Sequence, residues 1–473
     1  MLIQCKPRII GLITQTALVQ VLVVILSLLT FVPPLTFAQR SSAPQPTSPE
    51  TISQLREAAA LLESGRAAEA ELLLRRLLVA NPKNYDGHNL LGIALDQAGK
   101  LADAQHEYET AIRLNPKGVS ALVNLGVLFA RSHRADEAIK TFLGVLRLVP
   151  DHPEATANLG LQYSLRGEHS LAAPLLQRAV ALGRDGYDVR YRLGISLYYL
   201  QRYDEAMTAL ESASTLSPKA AEPLYYLGLV YWSRRQEEAA VDFWDRAIQL
   251  RPNFPEVNFM LGEALRKNQR GQAALEFYQR ALNGDQNKFA YYARLGGMHF
   301  VLGQFDQALD VFQRGAQRFP KMTEAHYFVG VAARAMADYA LAETEFRKSL
   351  ELRPDNVDAL AQLGFIVGER DRPAEAEKFL RRAIAVNDKH FYANYDLGRL
   401  LVKSKRYEEA LTVLRHAATL KPKQPAVHYQ IFIALSRLNR KVEADRELAL
   451  FKQLDAQWKV QPDEQLELEQ PRQ

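Results

Sequence analysis

The chain has 473 residues, 48% hydrophobic and 24% charged, with 59 Lys and Arg against 54 Asp and Glu. This excludes collagen-like, disulfide-framed and wholly disordered chains, and the length allows roughly three ordinary domains. Lys6 and Arg8 account for two of the cations, so beyond residue 38 the net charge falls from +5 to +3, no footprint of a nucleic-acid binder.

Residues 1–38 read as a targeting segment. Lys6 and Arg8 form a basic start, an apolar stretch runs from Ala17 to Phe31, and Pro33 and Pro34 stop any helix. Thr36-Phe37-Ala38 offers small residues where a signal peptidase inspects, so cleavage is expected after Ala38. The alternative is an uncleaved membrane tether through residues 9–32, long enough to cross a bilayer. Either way the remainder is exported: periplasmic or extracellular if cleaved, anchored at the inner membrane outside the cytoplasm if not. The single cysteine, Cys5, lies in this leader. Residues 39–50 (QRSSAPQPTSPE) read as a linker that cannot bury apolar surface.

A single period governs the chain from there on. Gly92, Gly126, Gly160, Gly194, Gly228, Gly262, Gly296, Gly330, Gly364 and Gly398 stand 34 residues apart, nine of them preceded by leucine. Alanines keep the same step from Ala70 to Ala444, and prolines from Pro82 to Pro422 with lapses at Arg184, Gln286 and Asp388. A polar break such as Gln97-Ala98-Gly99-Lys100 separates apolar residues spaced three and four apart, which predicts two amphipathic helices and a turn per period. Ten helical glycines, each costing about 1 kcal/mol against alanine, imply a close helix contact. The alanines are expected to face that contact, with larger residues (Tyr108, Phe142, Trp244, Tyr278 and their equivalents) beside it.

These ladders resemble the tetratricopeptide repeat. The likeness spans 51–458, as twelve units starting at 51, 85, 119, 153, 187, 221, 255, 289, 323, 357, 391 and 425, with 459–473 left as a polar tail. The family implies an all-α, right-handed superhelical solenoid whose first helices line a concave face. The first and last units depart from the pattern, with Glu57-Ala58 and Ile431-Phe432 in place of Leu-Gly. Capping units are built that way.

Little chemistry is left over. The chain has no HExxH, GxSxG, GxGxxG or P-loop. His88, His326 and His428 share one phase and read, with His299, as repeat-core positions rather than metal ligands. Acid pairs such as Glu237-Glu238 and Glu408-Glu409 complement second-helix dipoles. No enzyme and no cofactor is expected.

If the family geometry holds, the groove carries Tyr191, Arg192, Tyr198, Tyr199, Tyr225, Trp232, Phe259, Arg266, Phe300 and Tyr327, with Phe365, Lys267, Arg334, Arg399, Glu222, Glu256 and Glu263 nearby. Tyr, Trp and Arg dominate interface hot spots, so a peptide segment or helix of a partner protein is the expected occupant. The family's chaperone-tail clamp is not supported, since only Asn158 followed by Arg192 matches it. The reading is a non-enzymatic scaffold for protein–protein interaction in envelope or secretion assembly. The alternative is a carbohydrate- or exopolysaccharide-handling component whose aromatic groove stacks sugar rings.

Overall fold

The computed structural model describes residues 48–460. The leader, Cys5, the tether at 9–32, most of the linker and the tail beyond Val460 lie outside the described residues. Twenty-four α-helices and no strand occur among the described residues, in two compact bodies divided after Leu250. In the first body the hairpins are α1 (Pro49–Glu63) with α2 (Ala67–Ala80), α3 (Tyr85–Gln97) with α4 (Leu101–Leu114), and α5 (Val119–Arg131) with α6 (Ala135–Leu148). Then come α7 (Pro153–Leu165) with α8 (His169–Ala181), α9 (Tyr187–Tyr199) with α10 (Tyr203–Leu216), and α11 (Glu222–Ser233) with α12 (Glu237–Leu250).

The second body opens with α13 (Pro255–Lys267) and α14 (Gly271–Gly284), α15 (Phe289–Val301) and α16 (Phe305–Arg318), and α17 (Thr323–Ala335) and α18 (Tyr339–Leu352). It closes with α19 (Val357–Glu369) and α20 (Pro373–Val386), α21 (Phe391–Lys403) and α22 (Tyr407–Leu420), and α23 (Pro425–Arg437) and α24 (Lys441–Val460). Both ends of the array extend slightly further than the sequence pattern predicts. Ser48 accepts a hydrogen bond from the Thr51 N–H at 3.1 Å and starts α1 at Pro49, so the last two linker residues are helical. At the other end α24 takes in Lys459 and Val460.

The glycine ladder has a direct steric cause, and it differs from the one expected. A Cβ on Gly92 would meet the Tyr108 ring at 2.5 Å, one on Gly262 the Tyr278 ring at 2.6 Å, and one on Gly228 the Trp244 indole. The large residue sixteen positions later therefore lies across the glycine itself, rather than beside an alanine contact. The alanines are sealed elsewhere in the same hairpin, with Ala104, Ala240, Ala274 and Ala376 wholly buried. Trp244, Tyr108, Tyr278, Phe142 and Phe346 are the largest fully buried side chains, so in those hairpins the core is one ring laid on one bare backbone, while Leu176, Leu210, Leu380 and Leu414 take the ring's place over Gly160, Gly194, Gly364 and Gly398.

Capping is periodic too. The residue before a first helix accepts from the N–H three residues on: Asn84 from Gly87 (2.7 Å), Asn356 from Ala359 (3.1 Å), and His152 and His390 through Nδ1 from Ala155 (3.2 Å) and Ala393 (3.1 Å). An accepting Nδ1 requires a neutral tautomer, and burial holds His152 below the usual histidine range. Before second helices stands an arginine that reaches a first-turn glutamate, as in Arg134–Glu137 (2.9 Å) and Arg406–Glu409 (2.6 Å). Those glutamates complement the helix dipole and bind the arginine together.

The histidines are not plain core residues. His88 sits between Glu107 (Nδ1, 2.5 Å) and the Pro82 carbonyl (Nε2, 3.0 Å). His326 repeats this with Glu345 (2.6 Å) and Pro320 (3.0 Å), and His428 with Glu447 (2.8 Å) and Pro422 (2.9 Å). Each imidazole ties the preceding loop to both helices of its hairpin. Asn258 and Asn394 do part of the job at the same phase, donating to the Pro252 (3.2 Å) and Asp388 (2.8 Å) carbonyls. The Glu107 carboxylate raises His88, and Glu447 raises His428. His299 is half-buried and bonds Gln304 at 2.6 Å.

Candidate functional site: the first-helix walls

In the first body the candidate residues come from two neighbouring first helices, α9 and α11. They form a continuous aromatic run. Tyr187 stacks on Tyr191 (5.7 Å between centroids), Tyr191 meets Tyr226 edge-on (5.9 Å), Tyr226 meets Tyr198 (6.1 Å) and Tyr225 (5.2 Å), and Tyr198 meets Tyr199 (5.3 Å). His169 lies flat on Tyr199 at 4.4 Å. Tyr226, absent from the expected set, is the buried hub at 3% exposure, while Tyr199 remains 39% exposed. Its signal was the Tyr225-Tyr226 doublet. Trp232 packs on the core Trp244 at 5.6 Å.

Burial pushes the hydroxyls of Tyr191, Tyr198 and Tyr199 well up, so they are protonated donors at neutral pH. Burial and then Arg192 pull His169 down, so the ring beside Tyr199 is neutral. Arg192 itself is only 7% exposed, with its guanidinium 5.6 Å from the Tyr191 ring centroid.

The second body places its candidates differently. Phe259 packs on Tyr278 (5.8 Å) and Tyr291 (5.1 Å), Phe300 on Phe305 (5.2 Å), and Tyr327 is buried against Phe346 (5.6 Å). Tyr327 thus belongs to the hairpin core. Arg266 is bound to Glu263 at 3.0 Å, and the same carboxylate accepts from Arg294 (3.0 Å) and the Tyr278 hydroxyl (2.6 Å). Further along, Phe365 lies between the Arg334 (5.5 Å) and Arg399 (5.0 Å) guanidinium groups. Arg399 pairs with Glu369 at 2.9 Å and approaches Asp396 at 3.7 Å. Burial pushes Asp396 up to about 7, against the pull of Arg399 and Arg334.

Nothing in either wall resembles a catalytic constellation, and among the described residues no His, Cys, Asp or Glu cluster could hold a metal ion. No helix of the described residues is long and apolar enough to cross a membrane.

Comparison with known proteins decides the family. A tetratricopeptide repeat model matches residues 55–104, 90–153, 131–188, 191–255, 238–289 and 299–360, and a second such model matches 369–429. The chain belongs to the tetratricopeptide repeat family. Among curated proteins it is similar to the type IV pilus assembly protein PilF of Pseudomonas aeruginosa, 26% identical over 123 residues, covering 26% of this chain and 49% of that protein. It is also similar to the anaphase-promoting complex subunit CDC16 of Saccharomyces cerevisiae, 23% identical over 161 residues, covering 25% of this chain and 19% of that protein. The matches span half or less of those relatives' lengths. The solved structure of Pseudomonas aeruginosa PilF superposes with a TM-score of 0.41 at 20% identity, covering 45% of this chain and 97% of that one. As a tetratricopeptide repeat protein, this chain falls among interaction scaffolds, and the repeats resemble segments of both relatives.

Proposed function

We propose that this tetratricopeptide repeat protein is a non-enzymatic scaffold, exported from the bacterial cytoplasm, that docks a partner polypeptide on its first-helix walls. The observation that carries this reading is the run of tyrosines and Trp232 on α9 and α11, presented at fixed phases with Tyr199 left exposed. Such residues provide large, rigid, amphipathic contact area at little conformational cost. Export rests on the basic start, apolar stretch and Thr36-Phe37-Ala38 of the leader, and the similarity to a type IV pilus assembly protein supports work in assembly.

The test is capture of partners from the native envelope by the full chain, compared with Tyr198→Ala and Trp232→Ala, with helicity checked by circular dichroism. Loss of the same captured protein in both variants supports docking at this wall. Unchanged capture with intact helicity moves the site elsewhere, and binding to a glycan array without a protein partner favours the carbohydrate alternative. Sequencing the mature N-terminus of the same preparation separates Gln39 from Met1.

A further inference from the structure

The outward face of α2 breaks a rule that the rest of the array keeps. Leu72 and Val79 lie seven residues apart on it and are 60% and 86% exposed. Both phases are exposed in all twelve hairpins. In the other eleven, the phase of Leu72 carries polar or charged residues from His106 to Arg446, with Pro174 once. The phase of Val79 carries polar residues or the small Ala181 and Ala385. Helical spacing gathers Ala68, Leu72, Arg75, Arg76 and Val79 into one stripe about 100° wide. Ala70, Leu74 and Leu77, on the opposite side of α2, are its buried residues, so the stripe takes no part in the hairpin core. The acids beside it are already answered: Glu69 by Arg66 at 2.5 Å, and Glu71 by Arg75 (2.8 Å) and Lys100 (2.9 Å). Arg76 makes no ion pair among the described residues. The stripe is therefore aliphatic and positively charged.

We propose that α2 lies against a bilayer surface, with Leu72 and Val79 among the acyl-chain ends and Arg75 and Arg76 at the level of anionic phospholipid headgroups. This rests on the tethered form of the export reading, in which residues 9–32 cross the membrane. Chain order points to this occupant. Residues 33–48 link that span to α1 and reach at most about 55 Å, so the first hairpin is held beside the bilayer. The hairpin is antiparallel, which sets Val79, in the last turn of α2, at the end where the chain enters α1 at Pro49. Tethering raises the effective concentration of the surface, so a stripe too small to hold a free protein on lipid is enough here. The residue types agree. Anionic headgroups attract arginines beside them, whereas leucine and valine are under-represented among the anchors of protein interfaces. A second copy docked on the same stripe about a two-fold axis would set Arg75 and Arg76 against their own equivalents.

The experiment uses the full chain, reconstituted through its leader into vesicles of phosphatidylcholine alone or with phosphatidylglycerol. Cys5→Ser removes the one native cysteine, and Val79→Cys or Thr215→Cys then carries an environment-sensitive fluorophore. Thr215 is the exposed residue of the same phase on α10 and serves as the control. Lipids brominated in their acyl chains should quench the label at position 79 about fivefold more than the label at position 215, most strongly with phosphatidylglycerol present. Leu72→Glu should bring quenching at position 79 down to the control, with helicity and partner capture by the first-helix walls unchanged. Arg76→Gln should remove most of the gain from phosphatidylglycerol. Equal quenching at the two positions overturns the contact and leaves the tether standing. A mature chain from the native envelope that starts at Gln39 overturns the tether, and this contact with it. Shielding of position 79 that grows with protein density, without quenching by brominated lipid, gives the stripe to a second copy and overturns the lipid assignment. Quenching that ignores phosphatidylglycerol overturns the role given to Arg75 and Arg76.

Discussion

The two bodies are built on one template and differ in how they treat charge on it. In the second, Glu263 gathers Arg266, Arg294 and the Tyr278 hydroxyl, so that wall is electrically closed. In the first, tyrosines crowd the equivalent wall and the buried Arg192 lies against the Tyr191 ring. The period dictates where a side chain stands. Whether that side chain braces the fold through an ion pair depends on the residue that the neighbouring first helix sets against it.

The largest expected effect tests what the bodies share. Gly228→Leu and Gly262→Leu each drive a side chain into a buried ring, and each should cost about 3 kcal/mol or more. Hydrogen exchange should show protection lost around 222–250 in one variant and 255–284 in the other. Equal loss throughout both bodies would mean that hairpin packing is not local.

The next tests what separates them. Glu263→Gln leaves two guanidinium groups without their shared carboxylate and should destabilise the second body by about 2 kcal/mol, read by chemical denaturation. No residue of the first-helix wall in the first body should match that loss through charge alone.

Asp396 gives a pH-dependent contrast confined to the second body. Its folded pKa is raised to about 7, so the folded state holds the proton more tightly than the unfolded one. Its contribution is present in full below pH 4 and is lost as pH rises through 7. Asp396→Asn should flatten this slope and stabilise the protein at pH 8 by about 2 kcal/mol, net of the weakened approach to Arg399. Glu343, lowered to about 2 by Arg372 and Arg347, acts oppositely: its contribution holds above pH 4.5 and fades as pH falls towards 2. Melting temperature against pH for Asp396→Asn and Glu343→Gln checks the pair, each variant flattening its own limb.

The smallest effect again falls on both bodies. His88→Gln in the first and His428→Gln in the second should each cost about 1 kcal/mol at pH 6. Both imidazoles have raised folded pKa values, so their contribution is full below pH 6.5 and is lost as pH rises through the folded pKa. The penalty should shrink by pH 8.5, and a constant penalty would mean that hydrogen bonding alone, not charge, holds these hairpins.

The hairpin order was legible because close packing imposes it: Gly92 or Gly262 can be nothing larger with a tyrosine ring on its backbone. What faced the glycine was not legible, since alanine and ring ladders run at the same step and only the coordinates separate them. The histidine ties left a trace that a one-helix reading passes over, a glutamate nineteen residues after each of His88, His326 and His428. The expected groove mixed two kinds of residue. Tyr199 is exposed, whereas Arg192 and Tyr327 are buried, Tyr327 against Phe346, because burial depends on neighbours that periodicity does not name.

The turns inside the hairpins carry a further consequence. Twelve residues at the same step, from Gly65 to Asn439, have left-handed backbone, and only Gly65, Gly99, Gly167 and Gly303 are glycines. Ala337, Arg235, Lys405 and five others hold that conformation with a Cβ, at about 1 kcal/mol each. Local strain is therefore dispersed along the array in equal small deposits. Relieving it turn by turn offers graded control over robustness that leaves every groove side chain as it is.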